Sequence, residues 1–174
     1  THLFQRVDAR HISVNPNRTS LTGTGGKIEI GKASDGNWRY NGSINWRSPE
    51  LELNDVGFLR QADEIRQYAV LSYQTLKPLR HFRKIDTRFE QFSSYDFDGN
   101  FNKMQYTIGS ETSLKNNWNA TILTIYTPVS YFNSVLQGGP RFRYSENLFN
   151  SISINTDSRK KLRFNTAIYE SKSK

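Results

Sequence analysis

The chain has 174 residues, of which 35% are hydrophobic and 13% aromatic, and it carries a formal net charge of +8. This length suffices for one domain with its own core. The sequence contains no cysteine, which excludes a disulfide framework and a thiolate metal site. No apolar run approaches the roughly 18 residues of a membrane helix. The positive charge is compatible with nucleic acid, lipid phosphate or an acidic polymer, or with the lining of a pore.

The first part of the chain predicts one hairpin. Residues 1–14 are expected to form the end of a strand and a polar loop, followed by a strand at 27–32 and a turn at 33–36. The next strand, 37–47, alternates over eleven positions, which argues strongly against a helix. Its apolar face carries Trp38, Tyr40, Gly42, Ile44 and Trp46.

After an irregular segment at 48–63, the rest of the chain again consists of stretches in which apolar and polar residues alternate. Turn residues such as Asp-Phe-Asp-Gly-Asn at 96–100 separate further alternating stretches. The expected strands are 65–74, 83–92, 101–111, 118–127, 141–145, 149–155 and 161–170, with a looser aromatic loop at 128–140. The sequence therefore predicts an all-β protein, an antiparallel meander of about eight to ten strands that forms a β-barrel or part of a larger one.

Alternation alone does not tell which face of the sheet points inward. A soluble ligand-binding barrel turns its apolar face in, whereas a transmembrane barrel turns it toward lipid. Strands of about ten residues and a mean hydropathy of −0.73 favour the membrane alternative. The aromatic residues expected at the membrane interfaces are Trp38, Tyr40, Trp46 and Trp118. The charges expected to face a hydrated lumen are Arg39, Lys84, Asp86, Arg88, Glu90, Arg141 and Arg143.

The irregular segment carries a resemblance to a known family. Trp38-Arg-Tyr, followed by Arg-Ser-Pro-Glu-Leu-Glu-Leu-Asn-Asp-Val-Gly-Phe-Leu-Arg-Gln-Ala-Asp at 47–63, resembles a Gram-negative outer-membrane β-barrel family of unknown function. Members of that family usually carry a family 9 carbohydrate-binding-like module ahead of the barrel. The matching positions are Ser48, Pro49, Leu51, Asn54, Asp55, Gly57, Phe58, Leu59, Arg60, Ala62 and Asp63. The resemblance implies the bacterial outer membrane as location, and it implies that this chain is an internal fragment of the barrel.

Two roles are open for the segment at 48–63. It is either a structural corner, with Phe58 and Leu59 anchoring it on the barrel wall, or a plug, rim lid or partner-docking loop. Arg60 is expected to pair with Asp55 or Asp63. The resemblance implies membrane lipid and lipopolysaccharide as partners, together with other envelope proteins, and polysaccharide only through the separate module.

No catalytic, metal or cofactor motif is found. The three histidines lack metal-ligand spacing, and no nucleophile elbow occurs. The Asp96 turn resembles the start of a calcium loop, but Thr107 stands at the twelfth position, where that loop needs a glutamate. The aromatic residues mostly lie on the strand face opposite the basic ones, which argues against nucleic acid.

The function expected from these observations is non-enzymatic. The chain is expected to be an outer-membrane barrel component that acts as a pore, in transport or as a subunit of an envelope complex. The alternative is a soluble lipocalin-like barrel that binds a small apolar ligand. Gly-Asn-Trp at 36–38 resembles the lipocalin signature, although that signature opens the first strand in lipocalins, and a strand precedes it here.

Overall fold

Most of the alternating stretches of the sequence form strands. The structure, a computed structural model, describes residues 6–13, 15–52, 61–136 and 138–174. Ten strands lie in these ranges: β1 Gly25–Lys32, β2 Trp38–Arg47, β3 Glu64–Gln74, β4 Phe82–Tyr95, β5 Phe101–Leu114, β6 Asn119–Thr127, β7 Ser130–Phe132, β8 Phe142–Tyr144, β9 Asn147–Asn155 and β10 Asn165–Ser173. Over the same ranges, no helix has the length and hydropathy needed to cross a bilayer.

Eight of the strands form one antiparallel sheet in the order β1-β2-β3-β4-β5-β6-β9-β10. Each strand pairs with the next along the chain, apart from the short β7–β8 hairpin inserted between β6 and β9. In the described part of the chain, β1 and β10 each have one neighbour and form the two edges of the sheet. The predicted all-β antiparallel meander is thus confirmed.

Turns set the register of the hairpins. Asp35 and Gly36 both have positive φ angles, 64° and 78°, in the turn between β1 and β2. Lys32 pairs with Tyr40, so seven residues lie between the last paired positions, and the two left-handed residues reverse the chain within this loop. In the turn between β4 and β5, Asp96 accepts hydrogen bonds from the amides of Asp98 and Asn100 at 3.1 and 2.7 Å, and Gly99 has a φ of 80°. The hairpin turn predicted at 96–100 is therefore present.

Most strand boundaries lie within three residues of the prediction, and two differences are larger. β10 begins at Asn165 rather than at residue 161, because Thr156 and Phe164 hydrogen-bond to each other and close the connection before the ladder starts. Residues 130–132, predicted as loop, pair with β8. The strand end predicted within residues 1–14 falls largely outside the described residues, and residues 6–13 form no strand.

The sheet is a single layer, and this decides where its side chains lie. In the described ranges every fully buried side chain is polar or charged. One layer of sheet cannot bury an apolar face by itself, because burial needs a second layer, a closed barrel or an apolar solvent. The large apolar side chains consequently remain accessible.

Candidate functional site: the two faces of the sheet

Strand pairing divides the side chains into an apolar face and a polar face. Tyr40 pairs with Leu71, Leu71 with Phe89, and Phe89 with Ile108, so these side chains form one row across four strands. Directly paired residues point to the same side of a sheet. The apolar face comprises Trp38, Tyr40, Ile44, Leu71, Phe89, Ile108, Ile122 and Ile152, each between 41% and 55% exposed.

Aromatic residues lie at both ends of the apolar face. Trp38, at the start of β2, makes an edge contact with Tyr73, with ring centroids 5.0 Å apart. Trp46 lies eight residues further along the same strand, near its end. Tyr95 and Phe101, in contact at 5.8 Å, belong to the same end as Trp46. The apolar face thus begins and ends with amphipathic or aromatic rings.

The predicted interface aromatics occupy different positions on this framework. Trp38 and Tyr40 are exposed on β2, whereas Trp46 is half-buried and covers Gly26 on β1. A Cβ atom at Gly26 would lie 2.5 Å from the Trp46 ring, so a glycine is needed there for the indole to cross the strand. Trp118 is exposed just before β6, at the end of the sheet that carries Trp38.

Hydrogen-bonded polar pairs interrupt the apolar face, among them Thr87 with Ser110 and Ser93 with Gln67, each at 3.0 Å. Thr124 on β6 and Asn150 on β9 lie opposite each other, and the Thr124 hydroxyl donates a hydrogen bond of 2.9 Å to Asn150. A polar group that leaves water is tolerated when it is paired in this way. In an apolar environment, the hydrogen-bonded pair of Thr124 and Asn150 therefore costs less free energy than two unpaired polar side chains would.

The polar face is the concave one. It comprises Arg39, Asn41, Tyr68, Ser72, Asp86, Arg88, Glu90, Thr107 and Glu111. Along β2 the residues of this face are half-buried, while Trp38, Tyr40 and Ile44 on the other face are exposed. Two cavities, of about 410 and 240 Å³, open on the polar face. Side chains crowd together on the inside of a curved sheet and spread apart on its outside, so the apolar face is convex.

Five of the seven predicted lumenal charges lie on the polar face. Along β4, Lys84 lies 3.3 Å from Asp86, and Arg88 lies 3.5 Å from Glu90. Each pair is spaced two residues apart, so both members project to one side of the strand. Arg39, on β2, is the fifth charge of the polar face.

The other two predicted charges lie away from the main sheet. The Arg141 guanidinium donates to the Phe101 carbonyl and, at 3.1 Å, to Asn102, and it lies 4.6 Å from the centre of the Tyr131 ring. These contacts hold the β7–β8 hairpin against the start of β5. Arg143 is exposed on β8.

Much of the family motif falls outside the described residues. This applies to Asn54, Asp55, Gly57, Phe58, Leu59 and Arg60, and therefore to the predicted pairing of Arg60. The two ends of the segment are described and lie together: the Ser48 carbonyl accepts from the amides of Leu51 at 3.2 Å and Asp63 at 3.4 Å. The Ser48 hydroxyl oxygen also accepts from the Thr24 amide at 2.8 Å, and Pro49 directly follows this anchor. The segment therefore leaves and rejoins the sheet at one point.

A buried ion-pair cluster lies at the same end of the sheet. This Arg6 cluster consists of Arg6, His11, Asp63 and Asp96. Arg6 Nη2 lies 3.4 Å from Oδ2 of Asp63 and 3.1 Å from Oδ2 of Asp96. His11 Nε2 lies 2.9 Å from Oδ1 of Asp63, which also accepts from the Phe97 amide at 3.0 Å. The cluster attaches the segment at 6–13 to two loops of the sheet.

In the Arg6 cluster, nearby hydrogen-bond donors and the positive charge of Arg6 stabilise the ionised form of Asp96. Burial by itself raises the pKa of Asp96, but hydrogen bonds from Asn100 and the Arg6 guanidinium outweigh it and hold that pKa below its usual value. One ligand atom each from His11, Asp63 and Asp96 lies within 4.8 Å of the others, so the three could hold a cation. Arg6 contacts both carboxylates and already supplies the positive charge that a metal ion would bring.

Sequence reasoning missed most of this cluster. Arg6 is separated from its partners by 57 and 90 residues, and a contact of that range leaves no local pattern. The sequence identifies Asp96 as the first residue of a strong turn and Asp63 as the last residue of the family motif. Neither feature indicated that the two carboxylates share one arginine.

The comparisons with known proteins give one match. Neither the comparison with curated proteins nor the comparison with solved structures found a match. The family described as Domain of unknown function (DUF5916) matches residues 3–174. The chain therefore belongs to the DUF5916 family, a domain of unknown function.

Proposed function

We propose that this chain is a non-enzymatic β-barrel segment of the bacterial outer membrane that contributes to a pore, to transport or to an envelope complex. The observation that carries the proposal is the convex apolar face, whose large side chains are accessible across six neighbouring strands. A contiguous accessible apolar surface of this kind is expected where lipid or a partner covers it. An outward apolar face with a polar interior is the arrangement of outer-membrane barrels.

The dimensions of the face support contact with a bilayer. β2 has ten residues, which at about 3.3 Å each extend roughly 33 Å. With the strand tilt of about 40° found in membrane barrels, this length spans an apolar band of about 25 Å. Trp38 and Trp46 stand near the two ends of that length, where amphipathic rings meet the headgroups.

The concave polar face supports a hydrated interior. Its charges are both positive and negative, and neighbouring residues along β4 pair with each other. Ion pairs that stay partly exposed need water around them, because full burial of a charge pair costs more than the pair returns. Lipid and lipopolysaccharide would then contact the opposite, convex face.

The family motif supports the same location. The resemblance of residues 48–63 links the chain to outer-membrane barrels that follow a family 9 carbohydrate-binding-like module. A polysaccharide would bind through such a module, and other envelope proteins would dock at the rim, where Ser48 and Asp63 anchor the segment.

Single cysteines test the orientation directly, because the natural chain has none. Thr107 and Ile108 are neighbours on β5 that lie on opposite faces, so Thr107→Cys and Ile108→Cys form a matched pair. The full-length protein is expressed with its natural export signal, and outer-membrane vesicles are treated with a water-soluble maleimide. We expect rapid labelling at position 107 and strong protection at position 108, which denaturant should remove.

Two results would contradict the proposal. Equal labelling rates at 107 and 108 in vesicles would show that the convex face is in water. Recovery of the folded full-length chain as a monomer in detergent-free buffer would place it instead with soluble barrels that bind an apolar ligand.

A further inference from the structure

Three residues paired across neighbouring strands form a row on the polar face, and two of them are arginines. Arg39 on β2 pairs with Ser72 on β3, and Ser72 pairs with Arg88 on β4. Two strand spacings of about 4.8 Å place the two arginine Cα atoms roughly 10 Å apart, with the serine hydroxyl between them. Long side chains at this separation can reach one group held above the serine.

Arg39 has no partner among the described residues. In the part of the chain that the structure describes, no hydrogen bond or ion pair involves its guanidinium, and its Nε atom is buried. An unpaired donor on a partly buried cation is costly, since it has lost water without gaining an acceptor. An acceptor that enters from solvent would recover this cost.

The row lines the larger cavity of the polar face. This cavity of about 410 Å³ is bounded by Arg39, Ser72, Arg88, Lys32 and Glu29, together with Tyr68, Val70 and other residues. Arg39 and Arg88 contribute two positive charges and Glu29 one negative charge, so the charged side chains on the polar-face side of the cavity give a net charge of +1. Lys32 pairs with Tyr40 and belongs to the apolar face.

The acidic neighbours already have partners. Glu29 forms an ion pair with Lys27 and accepts a hydrogen bond of 2.7 Å from Asn41. Glu90 lies 3.5 Å from Arg88 at the far side of the row. This distance is long for a charge-assisted hydrogen bond, so Arg88 retains donors for a ligand.

We propose that this cavity binds an oxyanion, a carboxylate or phosphate group of a small polar solute. Arg39 and Arg88 clamp the group from two sides, and the Ser72 hydroxyl donates from below. Guanidinium groups suit this task because their planar fork offers two parallel donors to the two oxygens of such a group. The inference goes beyond the proposed function, since the cavity opens on the polar face whether or not lipid covers the other one.

Calorimetric titration of the folded full-length protein tests the proposal. The probes are glucuronate and inorganic phosphate, with glucose as the neutral counterpart of glucuronate. We expect saturable binding of at least one anion, weaker at high salt, and none of glucose. The anion that binds more tightly assigns the site to carboxylate or to phosphate.

Variants of single arginines test whether the anion binds in this cavity. Arg39→Gln should weaken binding by at least about tenfold, because a charge-assisted hydrogen bond is lost. Arg143→Gln, an exposed arginine outside the cavity, should leave the affinity unchanged. Should Arg39→Gln not fold, Arg39→Lys retains the charge without the fork and should still weaken binding.

The proposal is overturned by any of three results. One is the absence of saturable binding of both anions at millimolar concentration. Another is equal binding of glucose and glucuronate. The third is an equal loss of affinity in the Arg143 variant and the Arg39 variant, which would indicate attraction by net charge alone.

Discussion

Replacing Asp96 by asparagine would remove one charge from the Arg6 cluster while keeping the side-chain shape. The Asp96 side chain is 0% exposed and that of Arg6 is 5% exposed. Breaking a buried ion pair by neutralising one partner costs about 3–5 kcal/mol, because the remaining charge stays buried. Asp63 still contacts Arg6 at 3.4 Å and offsets part of this cost. We therefore expect Asp96→Asn to lower the free energy of unfolding by about 3 kcal/mol, at the lower end of that range.

A double-mutant cycle separates the ion pair from the turn that Asp96 also supports. Urea unfolding of the full-length protein in detergent micelles, followed by tryptophan fluorescence, is measured for Asp96→Asn, Arg6→Met and the double variant. Since the two side chains are in contact, the double variant should lose about 2 kcal/mol less than the sum of the single losses. Asp98→Asn is the matched control, because that carboxylate is half-exposed and lies 3.9 Å from His11, and it should change stability by less than about 0.5 kcal/mol.

Additive losses in the cycle would refute the reasoning. They would show that Asp96 acts only through its turn and that Arg6 does not depend on it. A loss below about 1 kcal/mol for Asp96→Asn alone would equally show that the cluster is not buried in solution.

Three further predictions concern single positions. Gly26→Val should cost about 1–3 kcal/mol and shift the fluorescence emission of Trp46, because any Cβ atom meets the indole ring at 2.5 Å. Gly99→Ala should cost about 1–2 kcal/mol in urea unfolding from its φ of 80° alone, since no other atom lies within 4 Å of the added Cβ. The Arg159 side chain donates to Asp157 and lowers the pKa of that carboxyl. Asp157→Asn should therefore destabilise the protein at neutral pH, and the difference from the natural chain should shrink only below about pH 4, as the unfolded carboxyl protonates first.

The strands were predictable because alternation is a local property. β2 was recognised over nearly its whole length, since eleven alternating positions leave no helical alternative. The β10 boundary was wrong by four residues because Leu162 and Phe164 continue the apolar alternation into a connection. Only the hydrogen bonds between Thr156 and Phe164 decide that the ladder starts later. At this point the alternating pattern predicts a strand, but the residues are not paired with a neighbouring strand, so no strand forms.

The candidate site was predictable only in its parts. Lys84, Asp86, Arg88 and Glu90 were placed on one strand face by their spacing, and the structure places them there. Whether that face is concave could not be read from the same spacing, because alternation is symmetric between the two sides of a strand. Curvature arises from the twist and pairing of all eight strands.

The amino-acid order by itself determined the class of the protein, the positions of its hairpins and the two chemically distinct faces of its strands. These follow from neighbouring residues, whose side chains alternate with a period of two. The tertiary structure alone decided that the polar face is the concave one, that Arg39 and Arg88 line the same cavity, and that Arg6 joins Asp63 to Asp96. Contacts between residues tens of positions apart depend on register and curvature, which are properties of the whole sheet.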